Sequence, residues 1–225
     1  MKSSKHTKET DAWAALDGRQ KSGLVRTLHW FHFRRLQLAR SWRKEEVITW
    51  ELLTALQILP RSFFLGELLK RIAQQATESE NVCAYLLDPL GDLEIEEYPT
   101  LGLEGKWRNR RSDIGIRHEN GARLWLEIKT RPTSSDELLT QLQDQRDALS
   151  NLCEDNLHGV VALLPETQSA LKWPMIRWSA IVDTLDESVH LLSEGIEPEI
   201  SRGYLKMATE LRDRIDLHRE PRLIK

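Results

Sequence analysis

The sequence predicts an α/β chain, with a mixed sheet flanked by helices in the order α-β-β-β-α-β and a helical segment ahead of it. Three observations predict it. Apolar residues recur near the 3.6-residue helical period as far as about residue 80. Short runs of strand character take over beyond that point. A continuous apolar run over 158–164 then follows a helix, as a buried, parallel strand would.

Residues 24–43 place Leu24, Leu28, Phe31, Leu36 and Leu38 among many Arg and Lys, and 45–59 place Val47, Ile48, Leu52, Leu53, Leu56 and Leu59 on a helical period. Pro60 ends the second helix. A third, over 62–79, carries Phe64, Leu65, Leu68, Leu69 and Ile72 as its buried stripe, with Ser62 as N-cap. Strands are predicted over 82–87, 93–98, 112–117 and 123–130. The Thr133-Ser134-Ser135-Asp136 stretch caps a helix over 135–152. Two closing helices are predicted near 179–192 and 198–217, the second after the breaks at Gly195 and Pro198. The expected division is a helical subdomain over 1–61 and a sheet-bearing domain over 62–225.

Of the 225 residues, 40% are hydrophobic and 30% charged, which excludes collagen-like and disordered classes. No apolar run approaches the roughly 18 residues that cross a bilayer, and residues 1–10 are polar and charged, so a cytoplasmic protein is expected. Cys83 and Cys153 form no CxxC pair and read as two small buried thiols. The net charge of −3 hides segregation: +6 over residues 1–50, +4 over 104–131 and −10 over 132–200. Such a chain is no general polycation. A basic patch facing an acidic site would still serve a phosphodiester substrate.

The chemistry lies in Arg111-Ser112-Asp113-Ile114-Gly115-Ile116-Arg117, a short turn, and Arg123-Leu124-Trp125-Leu126-Glu127-Ile128-Lys129-Thr130. Alternation sets Arg123, Trp125, Glu127 and Lys129 on one face of the second strand and Leu124, Leu126 and Ile128 on the other. A two-residue Asn120-Gly121 loop would mix polar with apolar faces. A three-residue loop, Glu119-Asn120-Gly121 with Gly121 left-handed, pairs Ile114 with Leu126, Gly115 with Trp125, Ile116 with Leu124 and Asp113 with Glu127. Two carboxylates then face each other, an arrangement that repels unless a cation lies between them. Two carboxylates, a backbone carbonyl and waters suit Mg²⁺, or Mn²⁺ in its place. Lys129, on the same face, can orient the attacking water or help to deprotonate it, or neutralise charge building on phosphorus. The pattern reads as metal-assisted phosphodiester hydrolysis.

Asp113, thirteen intervening residues and then Glu127-Ile128-Lys129, on consecutive predicted strands between helices, resembles the PD-(D/E)XK nuclease superfamily over about residues 62–165. Ser112 stands where a Pro is common in that motif. The resemblance implies a restriction-endonuclease-like α-β-β-β-α-β core with Mg²⁺ or Mn²⁺ as cofactor. It implies Asp113, Glu127 and the Ile128 carbonyl as metal ligands and Lys129 as the catalytic lysine. Members often add a glutamate from a preceding helix: here Glu67, in the usual position, or Glu46, in Glu45-Glu46-Val47-Ile48-Thr49-Trp50, a stretch similar to a Glu-x-x-x-Thr-Trp helix start of some bacterial relatives. Glu45 and Glu46 also suit a helical first turn by the helix dipole alone. Gln141 lies at about the distance from Glu127 at which RecB-like nucleases carry Gln-x-x-x-Tyr, with Gln145 in place of the Tyr; an exposed polar helix face explains the pair equally well.

Lys106-Trp107-Arg108-Asn109-Arg110-Arg111 joins cations to a ring, as surfaces that hold unstacked bases do, and Trp125 lies on the same face as the acidic pair. The expected function is a metal-dependent nuclease acting on DNA rather than RNA, Lys106, Trp107, Arg108, Arg110 and Arg111 contacting the nucleic acid. Bacterial anti-phage defence, restriction or repair is its expected setting, and a homodimer or a protein complex its expected assembly. The alternative is a catalytically silent nuclease-like adaptor in a larger complex.

Overall fold

The computed structural model of the protein describes residues 44–97, 99, 112–151, 153, 157–195 and 198–219. The predicted helix over 24–43 and the basic stretch 106–111 lie outside them. By backbone proximity the chain divides between Trp42 and Arg43, and every described residue belongs to the second unit. That unit includes α1 (Lys44–Ile58), which packs against β1 (Leu93–Glu97) and α6 (Pro198–Arg219). The expected division at residues 61 and 62 would have set this helix apart.

The remaining elements are α2 (Leu65–Gln75), a 3₁₀ turn (Thr77–Ser79), α3 (Glu80–Leu86), β2 (Ile114–His118), β3 (Arg123–Ile128), α4 (Ser135–Ser150), β4 (His158–Leu164), β5 (Met175–Arg177) and α5 (Trp178–Gly195). The five strands form one mixed sheet in the order β1-β2-β3-β4-β5. The first three pair antiparallel and the last three parallel. Helices flank it, as the fold class predicts.

Alternation along β3 decides what each face holds. Trp125 points to the face covered by α4, where Leu138, Leu142 and Leu149 pack on Trp125, Val160, Ala162 and Leu164. The opposite face takes α3: a Cβ built on Gly159 of β4 would lie 3.0 Å from Val82 and 3.2 Å from Leu124. Beside α3, α2 reaches the β5 edge and α5.

Residues 82–87 are expected as a strand, but 82–86 belong to α3 and Leu87 caps its end. Val82, Cys83 and Leu86 are buried while Ala84 and Tyr85 are exposed, a helical spacing that a six-residue apolar run does not distinguish from a strand. The Arg61 guanidinium donates to the carbonyls of Leu86 and Asp88 and completes the end of this helix. The helix expected over 62–79 is shorter, because residues 61–64 form a turn and Phe64, not Ser62, is the N-cap. β5 went unpredicted. Three residues are too few to show alternation, and pairing with β4 is what extends them.

The hairpin has the register that face matching selects, with Ile114 opposite Leu126, Gly115 opposite Trp125 and Ile116 opposite Leu124. Gly121 has φ 93°, in the left-handed region. The Gly121 amide donates to the His118 carbonyl at 3.0 Å and the Ala122 amide to Asn120 Oδ1 at 3.0 Å. A Cβ on Gly121 would approach only Leu157, at 3.9 Å, so backbone conformation alone opposes a side chain there. Gly121→Ala is expected to cost about 1–2 kcal/mol, and Gly121→Asn less. Urea denaturation checks the order; an Ala variant as stable as the parent would refute the left-handed turn.

Candidate active site

Three polar side chains meet at the open end of the β2–β3 hairpin. Asp113 directly precedes β2, and its Oδ2 accepts a 2.7 Å hydrogen bond from the Ile128 amide. Just before it, the buried Ser112 hydroxyl donates to the Leu126 carbonyl at 2.7 Å and pins the chain to β3. The serine in the place of the common proline thus closes the end of the ladder.

Glu127 is only 2% exposed. Its Oε1 accepts from Lys129 Nζ and from Gln141 Nε2, both at 2.7 Å, and its Oε2 accepts from Gln145 Nε2 at 2.7 Å. The two glutamines lie one turn apart on the α4 face toward the sheet. Lys129 Nζ also lies 3.8 Å from Glu45 Oε1, and Glu45 Oε2 accepts from the amide and hydroxyl of Thr130 at 3.4 Å each. The Lys129 backbone is fixed on both sides: its amide donates to the Leu163 carbonyl at 2.9 Å, and Trp178 Nε1 donates to its carbonyl at 3.0 Å.

Burial pushes the Asp113 carboxyl up to about 7, and the negative charge of Glu127 adds to that rise. The Ile128 amide and the Lys129 ammonium pull it back, and Glu45 adds a smaller push. For Lys129 burial acts downward, but Glu127, Glu45 and Asp113 together outweigh it and hold the ammonium above the usual lysine range. Lys129 is therefore a cation at neutral pH.

Asp113, Glu127, Lys129 and Gln141 thus come together, with the backbone of Ile128 between them. Glu67 does not join them: it pairs with Lys70 at 2.6 Å on α2, in the helical layer that holds α3 rather than α4. The side chain of Glu46 lies outside the described residues, as do Lys106, Trp107, Arg108, Arg110 and Arg111. Among the described side chains, the helix glutamate at the site is Glu45. Trp125 is sealed beneath α4 and offers no ring to a base. Gln145 went unrecognised as a site residue, although its i+4 spacing from Gln141 was the available signal. The Glu-x-x-x-Thr-Trp spacing, counted back from Thr49, reaches Glu45 and was the available signal, whereas residues 48–56 of α1 are buried on every side and no polar stripe fixes the rotation of its first turn.

Among the described residues no group of three or more His, Cys, Asp or Glu is arranged as a metal site. The donors at the hairpin are two carboxylates and a carbonyl, because alternation turns the Ile128 carbonyl to the same edge as the amide that meets Asp113. That set fits a hard cation which retains most of its water. Burial is the main cause of the rise in the Asp113 pKa, and the negative charge of Glu127, which such an ion would relieve, adds to it. The thiols do not take part: Cys83 is buried and pushed up to about 12, and burial raises Cys153 despite nearby Arg123.

Compared with protein-family models, curated proteins and solved structures, the chain matches none. Among the described residues no helix is long and apolar enough to cross a membrane.

An acid whose pKa rises on folding keeps its proton longer in the folded state. The Asp113 contribution to stability is therefore fully present below the ordinary value of 3.8 and is lost as pH rises through about 7. In chelator, Asp113→Asn is expected to flatten the stability profile between those values and to exceed the parent at pH 8 by on the order of 1–4 kcal/mol. Urea denaturation across that range checks this, and parallel profiles would contradict it.

Proposed function

We propose that the protein is a divalent-metal-dependent nuclease of the PD-(D/E)XK kind, with a restriction-endonuclease-like core, hydrolysing phosphodiester bonds in DNA. The observation that carries this reading is the meeting of Asp113, Glu127 and Lys129 on one face at the hairpin end, with both carboxylates drawn out of solvent. A purely structural hairpin gains nothing from opposed carboxylates. The consecutive elements α3, β1, β2, β3, α4 and β4 support the same reading.

Asp113, Glu127 and the Ile128 carbonyl would hold Mg²⁺ or Mn²⁺. Such an ion, when bound, lowers the pKa of its water and neutralises charge on the scissile phosphate. Lys129 donates hydrogen bonds and positive charge as the phosphorus centre gains negative charge, rather than taking a proton. Glu45 and Glu127 hold its ammonium from two sides, and the bonds from Trp178 and to Leu163 fix the backbone beneath it. Lys106, Trp107, Arg108, Arg110 and Arg111 would contact the nucleic acid, their cations giving salt-dependent affinity. Bacterial restriction, repair or anti-phage defence in the cytoplasm is the setting that suits such an enzyme, acting as a homodimer or within a complex.

The test is incubation of the purified protein with plasmid, linear duplex, single-stranded DNA and RNA in Mg²⁺, Mn²⁺ or EDTA. DNA cleavage that EDTA abolishes is expected, with Asp113→Ala and Lys129→Ala each slowing it by about 100-fold or more. Cleavage that survives in both variants would sink the proposal. A protein that cuts none of the four substrates is instead the catalytically silent adaptor.

A further inference from the structure

We propose that Gln141 and Gln145 are a positioning pair that leaves the Glu127 carboxylate one free acceptor site, on Oε2, so that Glu127 meets a divalent cation through a single oxygen. The inference rests on reading Asp113 and Glu127 as a cation site and adds what α4 does there. A carboxylate offers about four acceptor sites. Lys129 and Gln141 fill two on Oε1, and Gln145 fills one on Oε2. With so little of Glu127 open to solvent, water does not compete for these places.

The pair is rigid because of what carries it. Gln145 is 0% exposed, and α4 is seated on the sheet through Leu142, between the two glutamines, and through Leu138 and Leu149, about one turn beyond them on either side. Retracting either amide would drag those leucines off Trp125, Val160, Ala162 and Leu164; retracting Gln145 would leave the buried Oε2 without its donor, and retracting Gln141 would leave Oε1 to Lys129 alone. Glu127 therefore does not rotate to present both oxygens outward. Asp113, held by one amide at Oδ2, keeps its other oxygen for a ligand.

This restraint selects among cations. Ca²⁺ takes six to eight oxygens and commonly grips a carboxylate by both, whereas Mg²⁺ demands an octahedron, keeps several waters and uses one or two carboxylates. A glutamate restricted to one oxygen disfavours Ca²⁺ more than Mg²⁺. The amides thus act through Glu127, touching neither the cation nor a phosphate.

Isothermal titration of the full chain with MgCl₂ and with CaCl₂, for the parent and for Gln141→Met, tests this, because losing Gln141 opens a site on Oε1 and so offers the ion a second oxygen. Methionine keeps an unbranched chain of similar shape without the amide. The affinity for Ca²⁺ relative to Mg²⁺ is expected to rise about threefold or more in the variant. A glutamine that merely filled the interior would lower the melting temperature and leave that ratio alone. Gln141 is partly exposed, and should its Met variant fail to fold, Gln141→Leu frees the same site on Oε1 and must shift the ratio in the same direction. An unchanged ratio in a folded variant overturns the inference and leaves the nuclease reading standing. A parent that binds neither ion at millimolar concentration overturns both.

Discussion

Glu127 carries a carboxylate into a place almost closed to water, where an ion without partners costs several kcal/mol. Its three donors come from two directions, Lys129 just past the end of the same strand and the two glutamines from α4. Docking α4 on the sheet and completing the environment of Glu127 are consequently one event. The apolar seat of the helix sets the height at which the amides arrive, and the amides satisfy the one charge that this seat would otherwise strand.

Lys129 ties the remaining layers to the same point. Its backbone joins β4 and α5, through Leu163 and Trp178, and its side chain reaches Glu127 and Glu45, so that α1 also has a stake in the site. Asp113 is held differently, by the Ile128 amide and by the Ser112 anchor one residue earlier. The two carboxylates thus rest on independent supports, so their repulsion does not relax by separation and adds to the burial that raises the Asp113 pKa.

How much of this was legible in the sequence depended on whether local pattern or tertiary packing decided each part. The hairpin register was legible, because only one loop length matches every apolar residue with an apolar partner. The central trio followed from that register and alternation. The helical character of residues 82–86 was not legible, since a short apolar run satisfies both periods until the exposure of Ala84 and Tyr85 is known. Glu45 was reachable only through its spacing from Thr49, because the rotation of α1 is fixed by its neighbours on all sides, and Glu67 looked suitable by position while α2 occupies the layer away from α4. Gln145 announced itself only by its spacing from Gln141, a signal shared with many solvated helix faces.

The turn at Gly121 has a meaning beyond local geometry. Because faces alternate residue by residue, adding or losing one residue between Asp113 and Glu127 would turn either carboxylate toward the layer that holds Leu124 and Val82. In evolutionary terms this segment is a fixed ruler. Descendants of this chain can vary the identity of its residues and the length of other connections, but a single-residue change of length here removes the acidic pair in one step. That makes the spacing itself, more than any one residue within it, the character to seek when distant relatives of the protein are compared.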